Sequence, residues 1–366
     1  MSNGERDMRV EGLLLIPPGT AIKNPEIRTE GNLLKFREGT GRFTHKGVVI
    51  PALTNCHTHL DIEDPVYATD LISWLEKIIL KFPKARRISK PTIEKVKRIR
   101  SLGVETMLDI TRDPQHPAIN LGVIPFLEIT GSSEKDIPDI PPAYMVSPHA
   151  PYSTSEELLK AVARKFTDRL LSIHVAESEE EVKFVRGEPN LFEERIYPVV
   201  GRTRGVATHR SPVDYLERVG LLSQNALLVH CCFIDKRDVE TISKHRCTVC
   251  VCPRSNLYLS GRIAPVKDLL KAGVNLVLGT DSLASSPDLN LWHEAQLMVE
   301  LGTDPLTVLA MITTNPLRYL KRPVRKLLLF DIEASGKDLQ EIAFEIIYSS
   351  SRTLKTAISP FSPPQC

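Results

Sequence analysis

Short apolar runs rich in β-branched residues recur along this 366-residue chain, and segments of helical periodicity fill most of the gaps between them. The runs are 47–55 (GVVIPALTN), 104–110 (VETMLDI), 121–129 (LGVIPFLEI), 143–149 (AYMVSPH), 170–177 (LLSIHVAE), 226–232 (ALLVHCC), 247–253 (CTVCVCP) and 274–281 (VNLVLGTD). Helical patterns such as 69–82, 155–166, 236–245 and 264–273 alternate with them. Strands that are apolar on both faces and alternate with helices imply a parallel sheet covered on its outer side. Eight such units over roughly 250 residues imply an α/β chain closed into a (β/α)8 TIM-like barrel. An open doubly wound sheet would want a glycine-rich phosphate loop after an early strand, and the sequence has none.

The flanks read differently. Residues 8–50 look like short β segments cut by turns (PPG, KNP, EGN, EGTG), and KLLLFDI and AFEIIYSSS near the other end also read as β. The expectation is a small β domain built from both chain ends, 1–50 plus 323–366, with the barrel over 51–322.

Charge narrows the function. A net charge of +2 gives no electrostatic reason to bind nucleic acid or an anionic membrane. No stretch approaches the roughly 20 apolar residues of a membrane span, and the polar start MSNGERDMRVEG has no apolar signal core. The expectation is a cytoplasmic protein acting on a small molecule, and a homodimer is compatible with the chain. Seven cysteines, an odd number with five between Cys231 and Cys252, agree with a reducing compartment.

The polar residues at the ends of the apolar runs carry the chemistry. His57 and His59 follow the first run, His149 the fourth, His174 and Glu177 the fifth, His230 the sixth and Asp281 the eighth. In a β/α barrel the active site forms at the C-terminal ends of the strands. Residues i and i+2 of an extended segment point the same way, so His57 and His59 can reach one ion from one piece of backbone. A lone histidine reads more readily as a packed core residue. A whole set on one rim does not.

The segments PALTNCHTHL (51–60), SPHAPYS (147–153), IHVAES (173–178), VHC (229–231), CPRSNLYL (252–259) and LGTDSLASSPDLNLW (278–292) resemble the amidohydrolase superfamily, in particular its branch of chlorohydrolases and nucleoside or cytosine-type deaminases. They run in that family's order across nearly the whole barrel. The resemblance implies His57, His59, His174 and Asp281 as ligands of a divalent metal, a donor set that suits Zn²⁺ first and Fe²⁺ second. Two-metal members carry a lysine after an earlier strand; the runs here end in Ile110, Ile129 and His149, so one metal is expected. The resemblance further implies that Asp281 takes a proton from water, that Glu177 protonates a ring nitrogen, and that His230 stabilises the developing charge.

Within that branch, LGTDSLASSPDLNLW and the SWLEKI helix are similar to the aminodeoxyfutalosine deaminases, which act in menaquinone biosynthesis. Asp61 departs from the glutamate found there. Other adenine nucleosides, namely S-adenosylhomocysteine, methylthioadenosine and adenosine, are the alternatives, with ring dechlorination or amide hydrolysis behind them. A scaffold relative that has lost its metal is the non-enzymatic reading, and the full ligand set speaks against it. His149, Trp74, Arg254 and Ser285 are the expected substrate contacts, with Asn256, Ser286 and Asp288 as further polar candidates.

Cys247-x-x-Cys250-x-Cys252 also has zinc-like spacing, although free cysteine is a common small core residue in adjacent barrel strands. Chelation separates the two: EDTA should abolish activity and leave the thermal unfolding transition of the cysteine-bearing strands cooperative, whereas structural zinc would make EDTA unfold the protein.

Overall fold

The computed structural model describes residues 8–30, 33–62, 64–81, 90–202 and 208–358. The chain divides into two compact units: Met1–Thr54, Arg98–Glu105 and Asn290–Cys366 in one, Asn55–Lys97 and Thr106–Leu289 in the other.

The first unit carries a seven-stranded sheet. Its strands are β1 (Met8–Ile16), β2 (Thr20–Lys23), β3 (Pro25–Glu30), β4 (Leu33–Glu38) and β5 (His45–Pro51) from the beginning of the chain. After the barrel strands β6 (Leu53–Thr58), β7 (Val104–Thr111), β8 (Val123–Ile129), β9 (Met145–Pro148), β10 (Leu171–Val175), β11 (Ala226–His230), β12 (Thr248–Val251) and β13 (Asn275–Leu278), the sheet is completed by β14 (Leu327–Phe330) and β15 (Leu354–Ile358). Its order is β15-β14-β5-β1-β3-β4, with β2 on β1, so both chain ends contribute. β1 and β5 pair in parallel with Gly12 opposite Gly47. A Cβ on Gly47 would lie 2.0 Å from the carbonyl oxygen of Phe330, and its φ of +135° suits glycine alone.

One expectation fails in this unit. AFEIIYSSS is not a strand but part of the helix Leu339–Thr353. Ile342, Ala343, Ile346 and Ile347 are buried while Phe344 and Tyr348 are exposed. That stripe has the period of a helix, which the run of β-branched residues conceals.

The eight strands β6 to β13 form one sheet in sequence order, and the pairings from β7 to β13 are parallel. Every residue of β6, β8, β10, β11 and β12 is buried, as strands covered on both faces must be. Local signals set the helices. Ser155 caps the helix Glu156–Lys165 by accepting from Leu158 N, acidic residues fill its first turn and basic residues its last. Asp235 and Asp238 form a reciprocal capping box for Lys236–Lys244.

The seam between β13 and β6 positions the site. Thr58 and Asp281 form a parallel bridge, and the amides of Thr280 and Asp281 both donate to His57 O, at 3.1 and 3.0 Å. Buried Asn55 fastens the same seam: its Nδ2 donates to Thr280 Oγ1 at 2.7 Å, and its Oδ1 accepts from Thr280 N at 3.2 Å. Asn55→Leu removes both bonds and takes the partner from the buried Thr280 hydroxyl, so urea unfolding should show a loss of about 1–3 kcal/mol. An unchanged midpoint would show that the seam holds without this side chain.

Candidate active site

Four donor atoms converge at the C-terminal end of the barrel. His174 Nε2 lies 3.2 Å from His57 Nε2 and 3.3 Å from His59 Nε2. Asp281 Oδ1 lies 3.6 Å from His57 Nε2 and 3.7 Å from His59 Nε2. Metal–nitrogen bonds of about 2.0–2.1 Å put the corners of a tetrahedron about 3.3–3.4 Å apart. The four donors are therefore spaced as ligands of one ion, and three imidazoles with one carboxylate are the donor set of a zinc-type centre. The fit is good on chemistry as well as spacing, because two of the donors, His174 and Asp281, are turned by specific neighbours. His174 Nδ1–H donates to His149 O at 2.8 Å, which leaves the Nε2 lone pair facing its companions. Ser255 Oγ and Ser285 Oγ each donate to Asp281 Oδ2 at 2.7 Å, which turns Oδ1 toward the imidazoles. Burial alone would raise the Asp281 carboxyl, but its hydrogen bond to His57 and the charges of His59 and His57 hold it well below the usual range. Burial, then the neighbouring imidazoles, pushes His174 well below its usual value, so it stays neutral and able to ligate.

Glu177 stands beside this group, with Oε1 3.6 Å from His230 Nε2. Burial, and then the negative charges of Asp281 and Glu181, raise its carboxyl well above the ordinary range. A shift in that direction favours the protonated form. Its backbone is clamped from both sides. Glu181 accepts from Ala176 N at 2.9 Å and from Glu177 N at 3.1 Å, and Ser260 Oγ donates to Glu177 O at 2.7 Å. Burial raises Glu181 to about 8, against the pull of those two amide bonds.

His230 ends β11 with φ +77°, and burial pushes its imidazole down to about 3, so it is neutral. Its Nδ1 faces Asn256 Nδ2 at 2.8 Å.

A cavity of about 1000 Å³ opens onto these groups. His59, His174, Glu177, His230 and Asp281 line its floor. Ile62, Leu71, Trp74, Leu75 and Ile78 form an apolar wall, and Trp74 Nε1 is anchored to Ala284 O at 2.9 Å. Arg112 and Glu128, joined through Arg112 Nε at 2.7 Å, line another part together with Tyr152 and Arg202.

The structure thus brings His57, His59, His149, His174, Glu177, His230, Asp281 and Trp74 to one region. It places five other candidates elsewhere. Arg254 Nη2 donates to Asp288 Oδ1 at 2.7 Å, Ser286 Oγ donates to Asp288 O at 3.1 Å, Ser285 holds Asp281, and Asn256 holds His230, and none of the five is among the residues lining the cavity. Sequence reasoning passed over Ser255, Glu181, Arg112 and Glu128. Glu181 had a signal, since Ser178-x-x-Glu181 has capping-box spacing. Arg112 had none beyond following the second barrel strand, and Glu128 none beyond lying near the end of the third. Cys231, Cys232, Cys247, Cys250 and Cys252 are buried free thiols, and among the described residues neither group of converging metal donors contains a cysteine.

Residues 142–326 match the amidohydrolase family. The chain is similar to the 5'-deoxyadenosine deaminase of Methanopyrus kandleri, 36% identical over 184 residues that cover 47% of this chain and 38% of the relative. It is 28% identical over 331 residues to the 5'-deoxyadenosine deaminase of Methanothrix thermoacetophila, covering 79% of this chain and 73% of that one. In fold it resembles Helicobacter pylori aminofutalosine deaminase in complex with methylthio-coformycin, with a TM-score of 0.80 at 18% identity over 97% of this chain and 98% of the other.

Ser255→Ala and Ser285→Ala should each weaken metal binding about 10- to 100-fold, the usual effect of removing a group that orients a ligand. Gly279→Ala should do so too, because its Cβ would fall 2.6 Å from His57 Cβ. Competition titrations against a chelator measure all three, and wild-type affinity in the serine variants would show that Asp281 needs neither hydroxyl.

Proposed function

The chain belongs to the amidohydrolase family, and from that premise we propose that it is a mononuclear metal-dependent deaminase of 6-aminopurine nucleosides. The observation that carries the reading is the position of a buried Glu177, its carboxyl raised by burial, beside a four-donor centre that opens onto one cavity. Hydrolysis at a purine ring needs a group that protonates the ring nitrogen beside the carbon under attack. A carboxylic acid that keeps its proton at neutral pH meets that need.

His57, His59, His174 and Asp281 would hold the ion, for which zinc is the reading. Bound there, a divalent ion supplies Lewis acidity that makes hydroxide available near neutral pH. The protein's own groups do the rest. Glu177 gives its proton to the ring nitrogen. Asp281, fixed by Ser255 and Ser285, accepts the proton of the attacking water. His230 donates a hydrogen bond to the oxygen as charge develops on it. The proton taken up at Asp281 then passes to the exocyclic amine, which leaves as ammonia while the hydroxyl proton of the adduct returns to the Glu177 carboxylate and the ring carbonyl forms. The Trp74 wall suits an apolar group attached to the ribose.

For the substrate we read 6-amino-6-deoxyfutalosine, in menaquinone biosynthesis in the cytoplasm, on the likeness of the SWLEKI helix and the LGTDSLASSPDLNLW segment. The 5'-deoxyadenosine deaminases among its relatives support a second reading, with a smaller 5' group against the same wall.

Metal-loaded Glu177→Gln should bind its ion normally and lose about 10²- to 10⁴-fold in turnover. Near wild-type turnover would overturn the role given to Glu177. A panel of aminodeoxyfutalosine, 5'-deoxyadenosine, methylthioadenosine, S-adenosylhomocysteine and adenosine, followed by ammonia release, tests the substrate. No activity on any 6-aminopurine would remove the nucleoside reading.

A further inference from the structure

Four imidazoles crowd the floor of the cavity. The ring centroids of His57 lie 4.9 Å from those of His59 and His174, and 5.8 Å from that of His230. His57, His174 and His230 place nitrogen atoms within 4.8 Å of one another, as do His57 and His59 with Asp281 oxygen. Distance alone does not say which imidazoles ligate an ion and which donate a hydrogen bond. A neutral imidazole has one N–H and one lone pair, and the partner on one nitrogen decides what the other presents.

His174 and His230 have opposite partners. His174 Nδ1 faces the carbonyl oxygen of His149, which can only accept. His174 therefore carries its proton on Nδ1 and offers a lone pair at Nε2. His230 Nδ1 faces the side-chain amide of Asn256. The orientation of that amide is fixed, because Asn256 Oδ1 accepts from Cys252 N at 3.2 Å. The group turned to His230 is therefore NH₂, which can only donate. His230 Nδ1 must accept, and its proton sits on Nε2.

We propose that Asn256 is a positioning residue that locks His230 as the Nε2–H tautomer, so that His230 acts as a hydrogen-bond donor to the reacting oxygen and is kept from becoming a further metal ligand. Asn256 is fully buried on the helix Pro253–Ser260, and its own N–H donates to Cys252 O at 2.8 Å, so the amide sits on a rigid first turn. The backbone around His230 is built to meet it. His230 and Cys231 have φ of +77° and +53°, and Cys231 N donates to Val175 O at 3.0 Å. Two successive non-glycine residues in that region persist only where surrounding bonds hold them. The role for His230 rests on the hydrolase reading above, whereas the tautomer itself does not depend on it.

Histidine-labelled, metal-free protein distinguishes the two. Long-range ¹H–¹⁵N spectra, assigned with His230→Gln, should show His230 Nδ1 as the unprotonated nitrogen and Nε2 as the protonated one at neutral pH. In Asn256→Asp the carboxylate accepts instead of donating, so the two nitrogens should exchange these signatures. The same variant should bind zinc more tightly in chelator competition, because Nε2 now offers a lone pair. With the ion loaded it should lose about a hundredfold in kcat with little change in KM, the size of effect seen when one preorganised donor is removed. Wild-type His230 protonated on Nδ1 would overturn the proposal without any variant. So would an Asn256→Asp protein that folds with an unchanged tautomer. If the tautomer behaves as stated while no nucleoside is turned over, the lock stands and the deaminase reading falls.

Discussion

Burying several ionisable side chains at one point is the constraint that shapes this molecule. Three imidazoles and a carboxylate within bonding distance of one ion, with a second carboxyl and a fourth imidazole beside them, would be costly if each were left to itself. The protein meets part of that cost by giving four of these residues specific partners. A carbonyl turns His174, two hydroxyls turn Asp281, an amide turns His230, and the Glu181 carboxyl holds the backbone of Glu177. The carbonyl and the amide also fix which nitrogen of each imidazole carries its proton. The result is a centre in which lone pairs, a stored proton and a donated hydrogen bond lie side by side.

Backbone strain accompanies that arrangement. Ala176, His230, Cys231 and Asp281 all have positive φ, at +51°, +77°, +53° and +57°. All four lie at the C-terminal ends of barrel strands or within three residues beyond. Such conformations cost of order 1–3 kcal/mol each and mark places where the surroundings over-determine the chain. Here the determining bonds are visible: Asp281 N and Thr280 N on His57 O, Phe233 N on Ala176 O, and Cys231 N on Val175 O. The barrel ladder supplies the rigidity, and the rim uses it to aim side chains that an unstrained strand end would point elsewhere.

How much of this was legible in the sequence depends on the range of the interaction involved. The barrel strands were, because a strand buried on both faces must be apolar throughout, and ALLVH and TVCV can hardly be read otherwise. AFEIIYSSS was not, since two adjacent isoleucines satisfy a strand and a helix equally and the buried stripe decides. The His57–His59 pair was legible from its two-residue period. Ser255 and Asn256 were not readable as partners of Asp281 and His230, which lie 26 residues away in each case. Nothing local in CPRSN distinguishes a residue that faces the cavity from one that braces a histidine behind it.

The sequence by itself determined the alternating architecture, the rim on which the chemistry sits and the identity of the donors, because burial pattern and residue type are properties of the chain. Tertiary structure alone decided what each donor presents. Whether an imidazole nitrogen offers a lone pair or a proton is set by the atom opposite its other nitrogen, a carbonyl oxygen for His174 and an amide NH₂ for His230. Whether a glutamate holds its proton is set by how completely water is excluded around it, as at Glu177. These are properties of contact between distant segments, and they exist only once the barrel has closed.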